Sequence, residues 1–484
     1  MQVATRISLS KYCTFPSRIP HRRKDTQQKI YNVFLSNTTK SNDNHVDIAI
    51  VGGGAVGSLM ARLLAEEVPS LKVSVLDFRT PRSGKDVLNN ESKNIQPNAR
   101  AYALSPTSLG LLGNDVLNRL HSSGKIALYD SMQIWESDGP ATLHFTKEDL
   151  STIEKEQLSS TSSSAIENNI LGAVIEDEPL VSCIWDELRE KFNHNVNLIS
   201  PASVKQIVSP SSLILSSQQK PAQCDPIQLT YQMNDSKEDY TLSADLLIAA
   251  DGGNSMVRRM LGTFPTISIG YGRKAVTCTV VLDSTIDKVA FQRFQPNGPI
   301  ALLPVWDETA DKHYANIVWS TTPVEAKELE MLTDAEFINR MNELLQSGPT
   351  NTPPLFSDEI KRASPWPFSQ AAQGLEMLSR SVNAGLSMSS WTERRRGFVV
   401  PPLITEVIGK RFGFDLNLMH AKNYVGTRVC LIGDGESSNC ICIHLSYLCS
   451  IHPFLIAIIK LWHWFLQIRV VQLHIQYIRW QVKD

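Results

Sequence analysis

Three short apolar runs in this chain each close on residue types that bind phosphate and hydroxyl groups. Val46-Asp47-Ile48-Ala49-Ile50-Val51 leads into Gly52-Gly53-Gly54-Ala55-Val56-Gly57. Asp245-Leu246-Leu247-Ile248-Ala249-Ala250 leads into Asp251-Gly252-Gly253-Asn254-Ser255-Met256-Val257-Arg258, and Arg428-Val429-Cys430-Leu431-Ile432 leads into Gly433-Asp434. In the first run a Gly-x-Gly-x-x-Gly turn follows a β-branched strand. That pattern gives Gly52 the tight turn, Gly54 the close approach of a pyrophosphate to the backbone, and Gly57 the packing of helix on sheet. An anion there rests on a helix N-terminus, where free N–H groups and the helix dipole favour negative charge.

The elements that must position these residues can be read around them. Ala55 to Glu67 reads as the helix leaving the glycine turn, with Leu59, Leu63 and Leu64 on one face. Val73-Ser74-Val75-Leu76-Asp77 reads as a second strand ending in an acid 20 residues past Gly57, placed to accept a ribose 2′-hydroxyl and unsuited to a 2′-phosphate. Asp251-Gly252 alone is equally a plain turn after a strand, and Arg258 alone equally a surface ion pair. Taken in order, the three runs point to FAD.

With the segment Arg100-Ala101-Tyr102-Ala103-Leu104-Ser105, these motifs resemble the aromatic-ring flavin monooxygenases of the para-hydroxybenzoate hydroxylase type. Phe291-Gln292-Arg293-Phe294, Gly298 to Pro304 and Ile317-Val318-Trp319-Ser320-Thr321 are similar, within that group, to the ubiquinone-biosynthesis hydroxylases, above all the mitochondrial ones acting at the C5 ring position. The likeness runs from about Val46 to Asp434. It implies an α/β fold in which a Rossmann-like FAD-binding domain is interleaved with a β-sheet substrate domain. It also implies cofactor-binding roles for Gly52, Gly54, Gly57, Asp77, Arg100, Asp251, Gly252, Gly433 and Asp434. Arg100 matches the arginine that faces the cofactor phosphates. The region of Asp251 lies near the pyrophosphate and the reductant, and the acid of Gly433-Asp434 holds ribityl or ribose hydroxyls.

The reaction implied is hydroxylation of a polyprenylated hydroxybenzoate by dioxygen, with a ferredoxin and its reductase as electron donor, within a ubiquinone-biosynthesis protein complex peripheral to the matrix side of the mitochondrial inner membrane. Flavin carries that chemistry, while the protein positions the ring and excludes water. A related enzyme acting on another aromatic substrate or ring position is the alternative, as is an inactive isoform that serves only in interactions. No triad is expected. His45, His144, His194 and His313 are scattered without a partnered nucleophile, and no catalytic base can be named.

Composition fits a large enzyme: 484 residues, 42% hydrophobic, formal net charge −2, which removes the electrostatic case for nucleic acid. The eight cysteines, at 13, 183, 224, 278, 430, 440, 442 and 449, are irregularly spaced, which fits a reducing compartment. Residues 1–45 hold Arg6, Lys11, Arg18, Arg22, Arg23, Lys24 and Lys29 among Ser and Thr, a transit-peptide composition; a disordered basic tail is the alternative. The expected divisions are FAD-binding at 46–130, mixed segments at 131–240, the Asp-Gly segment at 241–265, the substrate domain at 266–404, the Gly-Asp segment at 405–434 and an atypical tail at 435–484. Within these, β-rich runs from Gly270 to Thr322 would floor the substrate pocket and a helix from Asp334 to Leu345 would cover it. Ser159 to Ser164, Ser209 to Gln219, Gly348-Pro349 and Pro353-Pro354 read as loops.

After Asp434 the family pattern of Ala-Ala-His and a Gly-Gln-Gly turn does not follow. Gly435-Glu436-Ser437 stands there instead, a tripeptide that a splice-donor-like string can encode, so a retained intron or misassigned exon boundary is expected. Cys440, Cys442, His444, Cys449 and His452 miss the paired Cys-x-x-Cys spacing of zinc sites, and no metal is expected. Phe454 to Ile459 with Leu461, Trp462, Trp464 and Phe465 is interrupted by Lys460 and His463, too short to span a bilayer and at most interfacial.

Overall fold

The structure, a computed structural model, describes residues 44–88, 96–146, 170–209, 225–306, 312–349, 398–433 and 437–438. The expected transit peptide up to residue 43, the two serine-rich loops from 159 and 210, Asp434 and the Cys/His-bearing tail lie outside the described residues.

The motif-bearing runs are neighbours in one sheet. Its strand order is Val425–Gly426, Val429–Leu431, Asp239–Ala249, His45–Val51, Val73–Leu76 and Val196–Ile199. Val429–Leu431 pairs in parallel with the Asp239–Ala249 strand, His45–Val51 with Val73–Leu76, and that in turn with Val196–Ile199. A parallel sheet covered on both faces needs apolar side chains on both, and these runs supply them by alternation. Ile48, Ile50, Ile248, Cys430 and Ile432 pack toward the helices Ala55–Glu67 and Asp177–Lys191. Ala49, Val51, Leu247, Ala249, Val429 and Leu431 pack on the opposite side with the antiparallel strands Ala202–Val208 and Ile227–Met233.

A second, mainly antiparallel sheet orders Ser437–Ser438, Ile404–Ala421, Thr266–Leu282, His313–Thr321, Gly298–Val305, Val289–Gln295, Ser131–Glu136 and Thr142–Thr146. Its inner face, Val276, Cys278, Val280, Phe291 and Trp319, packs on Ala326 and Leu329 of helix Pro323–Met331 and on Phe337, Met341 and Leu345 of helix Asp334–Gln346. The second helix starts on a Thr333/Glu336 capping box, in which each side chain satisfies the other residue's backbone N–H. Residues 404–421, expected within the flavin-side segment 405–434, pair into this large sheet. The chain enters the flavin sheet only at Val425. A third sheet, Ala101–Leu104, Gly172–Glu176 and Ile126–Tyr129, is antiparallel and lies between them, sharing a small core with Ala290 and Val305 of the large sheet.

The outer halves of Thr266–Leu282 and Ile404–Ala421 form a two-stranded ribbon. Its register places Ile267, Ile269, Arg273 and Ala275 on one face with His420, Leu418, Leu416, Phe414 and Phe412, while Ser268, Lys274, Asp415 and Asn417 take the other. Ile267, Ile269, Phe412 and Phe414 are 46%, 55%, 53% and 49% exposed, so this apolar face is not covered as the flavin sheet is. Tyr271 and Gly272 form a bulge in the ribbon, where the register shifts between Gly270 and Arg273.

Candidate functional site

The glycine turn is built as its spacing requires. Gly52 has φ +103°, and a Cβ there would overlap the Ala250 carbonyl of the neighbouring strand. Only glycine adopts that backbone without strain. A Cβ on Gly57 would overlap the Gly52 carbonyl, so the first turn of the helix lies directly against the loop. Gly54 differs: a Cβ there meets no atom within 4 Å. Its open side faces away from the protein's own packing, as a position kept bare for a pyrophosphate should.

Asp77, half-buried at the end of its strand, accepts the Gly53 N–H at 2.7 Å and the Arg79 N–H at 2.8 Å. Its carboxylate therefore braces the glycine turn. Trp185, fully buried on helix Asp177–Lys191, donates from its indole N–H to the Gly53 carbonyl at 2.7 Å, and its ring fills the space where a Gly53 Cβ would go. No local signal marks Trp185 in the sequence, because its partner is 132 residues away.

Asp251 follows the adjacent strand, and the Ala250 N–H reaches the Val51 carbonyl at 2.7 Å. One carboxylate oxygen, Oδ2, accepts the Met256 and Val257 N–H groups at 2.6 and 3.0 Å. Oδ1 is buried and has no hydrogen-bond partner among the described residues. A buried carboxylate oxygen without a donor is costly, so this atom calls for a donor beyond those the described residues provide. Ser255 caps the same short helix by accepting the Arg258 N–H, and the Arg258 guanidinium donates to the Gly253 carbonyl at 2.9 Å. Burial pulls Arg258 below the ordinary guanidinium range, with Asp251 holding it up. Gly252 lies within this loop, and a Cβ on it too would meet nothing within 4 Å.

Gly433 follows the third strand, tied in by the Ile432 N–H to the Ala249 carbonyl at 2.9 Å, and packs near Val56 of the glycine-turn helix. Gly52, Asp251 and Gly433 thus share one edge of the sheet, at the carboxyl ends of three neighbouring strands, where open α/β sheets bind ligands. Arg100 stands apart from that edge: its exposed side chain meets Asp177 at 3.4 Å and Tyr102. Tyr102 in turn donates to Asp177 at 2.5 Å, and burial beside that carboxylate holds the phenol well above its usual range.

Among the described residues no group of His, Cys, Asp and Glu is arranged to hold a metal, and no helix is long and apolar enough to cross a membrane. His144 and His194 are exposed, and His45 and His313 are half-buried on separate elements. Cys183 and Cys278 are buried free thiols pushed up to about 12 by burial, which leaves them unreactive at neutral pH.

The donor set fits FAD. The bare Gly54, the orphaned Asp251 Oδ1 and the braced Asp77 stand where a pyrophosphate and two hydroxyl-bearing groups would be received. The family described as FAD binding domain matches residues 216–371. The chain is 27% identical over 424 residues to "Ubiquinone biosynthesis monooxygenase COQ6, mitochondrial" of Dictyostelium discoideum, covering 83% of this chain and 73% of that protein. Its identity to the Homo sapiens protein of the same name is also 27%, over 397 residues, covering 81% and 72%. The chain is thus similar to FAD-binding monooxygenases. Among solved structures, pqsL, a probable FAD-dependent monooxygenase from Pseudomonas aeruginosa, overlaps 81% of this chain and 79% of its own with a TM-score of 0.47 at 15% identity.

Proposed function

We propose that the chain hydroxylates the aromatic ring at C5 of a polyprenyl-4-hydroxybenzoate-type precursor in ubiquinone biosynthesis, in the mitochondrion and peripheral to the matrix side of the inner membrane. The observation that carries this is the likeness to the ubiquinone-biosynthesis monooxygenases over about four-fifths of the chain, spanning both large sheets. The bound flavin supplies activation of dioxygen and transfer of one oxygen atom to an electron-rich ring. Gly52, Gly54 and Gly57 admit the pyrophosphate to the backbone, and Asp77 and the free oxygen of Asp251 receive ribose and ribityl hydroxyls. Gly252 and Gly433 complete the edge; the roles of Asp434 on the hydroxyls and of Arg100 on the phosphates rest on the resemblance, Arg100 meeting Asp177 and Tyr102 in this structure. The large sheet orients the aromatic ring and excludes water from it.

The single glycine fingerprint is occupied by FAD in this reading, so electrons come through a ferredoxin and its reductase. NADPH alone is expected to reduce the flavin poorly, and rapid anaerobic bleaching by NADPH without added protein contradicts that donor. A second reading rests on the sequence after Asp434, where the family's turn and its flavin-facing backbone donors are replaced by Gly435-Glu436-Ser437. In that reading the chain as written holds FAD weakly, and a chain carrying the family's continuation holds it well. Both versions are to be expressed in cells lacking the ring hydroxylase, with the hydroxylated quinone precursor identified by mass and bound flavin read by visible absorbance. Product hydroxylated at another ring position overturns the C5 assignment, and equal rescue by the two versions overturns the second reading.

A further inference from the structure

A buried charged cluster lies where the small three-stranded sheet meets the large one. Lys125, between helix Asn114–Ser122 and strand Ile126–Tyr129, is 1% exposed. Its ammonium has no hydrogen-bond acceptor among the described residues and sits 3.2 Å from the centroid of the Trp306 ring. Trp306 follows strand Gly298–Val305 of the large sheet and donates its indole N–H to Glu176 Oε1. The other oxygen, Glu176 Oε2, accepts the Asn98 N–H at 2.5 Å. Glu176 is 4% exposed, so one buried carboxylate holds a donor from the large sheet and a donor from the segment that leads to Arg100.

That segment is tied at each step. The Ala99 carbonyl accepts from Thr277 at 3.5 Å and Asn316 at 3.4 Å, both on the large sheet, and Asn316 is itself fixed by Thr279 at 2.9 Å. The Asn98 side chain accepts the Arg100 N–H at 3.1 Å, and the Arg100 carbonyl accepts the Asp177 N–H at 3.0 Å. A buried ammonium without an acceptor is expensive where a methionine would pack as well. An indole face and a nearby carboxylate are the two features that make it tolerable, and both are present. Burial lowers the lysine to about 8 and raises Glu176, and each charge counters the shift of the other.

We propose that Glu176 is a positioning residue: holding the Trp306 indole with one oxygen and the Asn98 N–H with the other, below the Lys125 ammonium on the Trp306 ring, it registers the large sheet against Asn98–Arg100 and so sets the direction in which Arg100 leaves the backbone. The last step rests on the reading above that Arg100 faces the cofactor phosphates. The network itself does not.

The test is hydrogen exchange on the full chain without added cofactor, followed through a peptide covering residues 96–104, for Trp306→Phe, Glu176→Gln and the volume-conserving Lys125→Met. Each is expected to exchange about tenfold faster there, as for a lost buried hydrogen bond, while strand Val73–Leu76 keeps its protection. Unchanged exchange in this peptide for Trp306→Phe and Lys125→Met overturns the proposal, as does a rise spread evenly over the chain in all three variants. The link to the cofactor is read by FAD titration in a double-mutant cycle. Trp306→Phe is expected to raise the Kd about fivefold in the parent and not at all in an Arg100→Ala background. Additive effects overturn positioning through Arg100. An Arg100→Ala chain with the parental Kd instead removes the phosphate-facing reading, and the exchange result then decides the network by itself.

Discussion

Gly54 and Gly57, three residues apart, are held glycine by different neighbours. A Cβ on Gly57 collides with backbone, whereas one on Gly54 enters open space. Gly57→Ala is therefore expected to lower stability by about 2 kcal/mol through overpacking, measured by urea unfolding. Gly54→Val should leave the unfolding midpoint close to the parent and abolish flavin retention, measured as visible absorbance per polypeptide; flavin kept by Gly54→Val contradicts the cradle. Lys125 carries a pH signature. Folding disfavours its charge, so the cost is fully present below about pH 8 and is relieved as pH rises from there to the ordinary lysine value of 10.5, where the unfolded chain binds the proton the folded one has lost. Stability should rise with pH across that window relative to Lys125→Met, and parallel curves for the two proteins from pH 7 to 10 contradict the assignment. Residues of the first kind were legible in the sequence because each glycine's role is set by its neighbours a few positions away. Lys125, Glu176 and Trp306 were not, since nothing near any of them in the chain reveals that they meet.

At the scale of elements, the helix Ala55–Glu67 is joined to Asp177–Lys191 by an ion pair with almost no solvent around it. Arg62 Nε lies 2.7 Å from Glu187 Oε2, with side chains 5% and 3% exposed, and Arg62 also donates to the Leu111 carbonyl. Burial raises Glu187, and Arg62 opposes the rise. Removing one partner strands the other charge, so Arg62→Met is expected to cost about 3–5 kcal/mol. The double change Arg62→Met with Glu187→Leu should recover most of that loss, and equal losses for single and double changes by urea unfolding would show that the pair is not coupled. The first of these helices was legible to its last residue, because glycine turn and leucine spacing bound it. The second was not, since Trp185 and Glu187 act on partners 132 and 125 residues distant. The β-rich run from Gly270 to Thr322 and the helix from Asp334 were readable from alternation and capping. That 404–421 crosses into the large sheet was not, because pairing partners leave no trace in local composition.

For the whole molecule, the sheet order turns three separated motifs into one edge, and that adjacency is what their order in the chain could only suggest. The ribbon of Thr266–Leu282 and Ile404–Ala421 poses the opposite problem, that of keeping molecules apart. Strand His313–Thr321 pairs with the first of these only from Lys274 onward, so among the described residues no strand pairs with the outer border of Thr266–Gly270, beside a face bearing Ile267 and Ile269. Such a border invites a second molecule to add its own strand, and repetition of that step makes a fibre. Tyr271 and Gly272 break the border into pieces too short to template one. Deleting both residues should straighten the border and shift the elution profile of the parent toward larger, concentration-dependent assemblies, whereas an unchanged profile at high concentration would mean that the border is guarded by something else. The two extra residues then serve as a stop on polymerisation, written into the backbone spacing of a ribbon whose side chains alone would favour it.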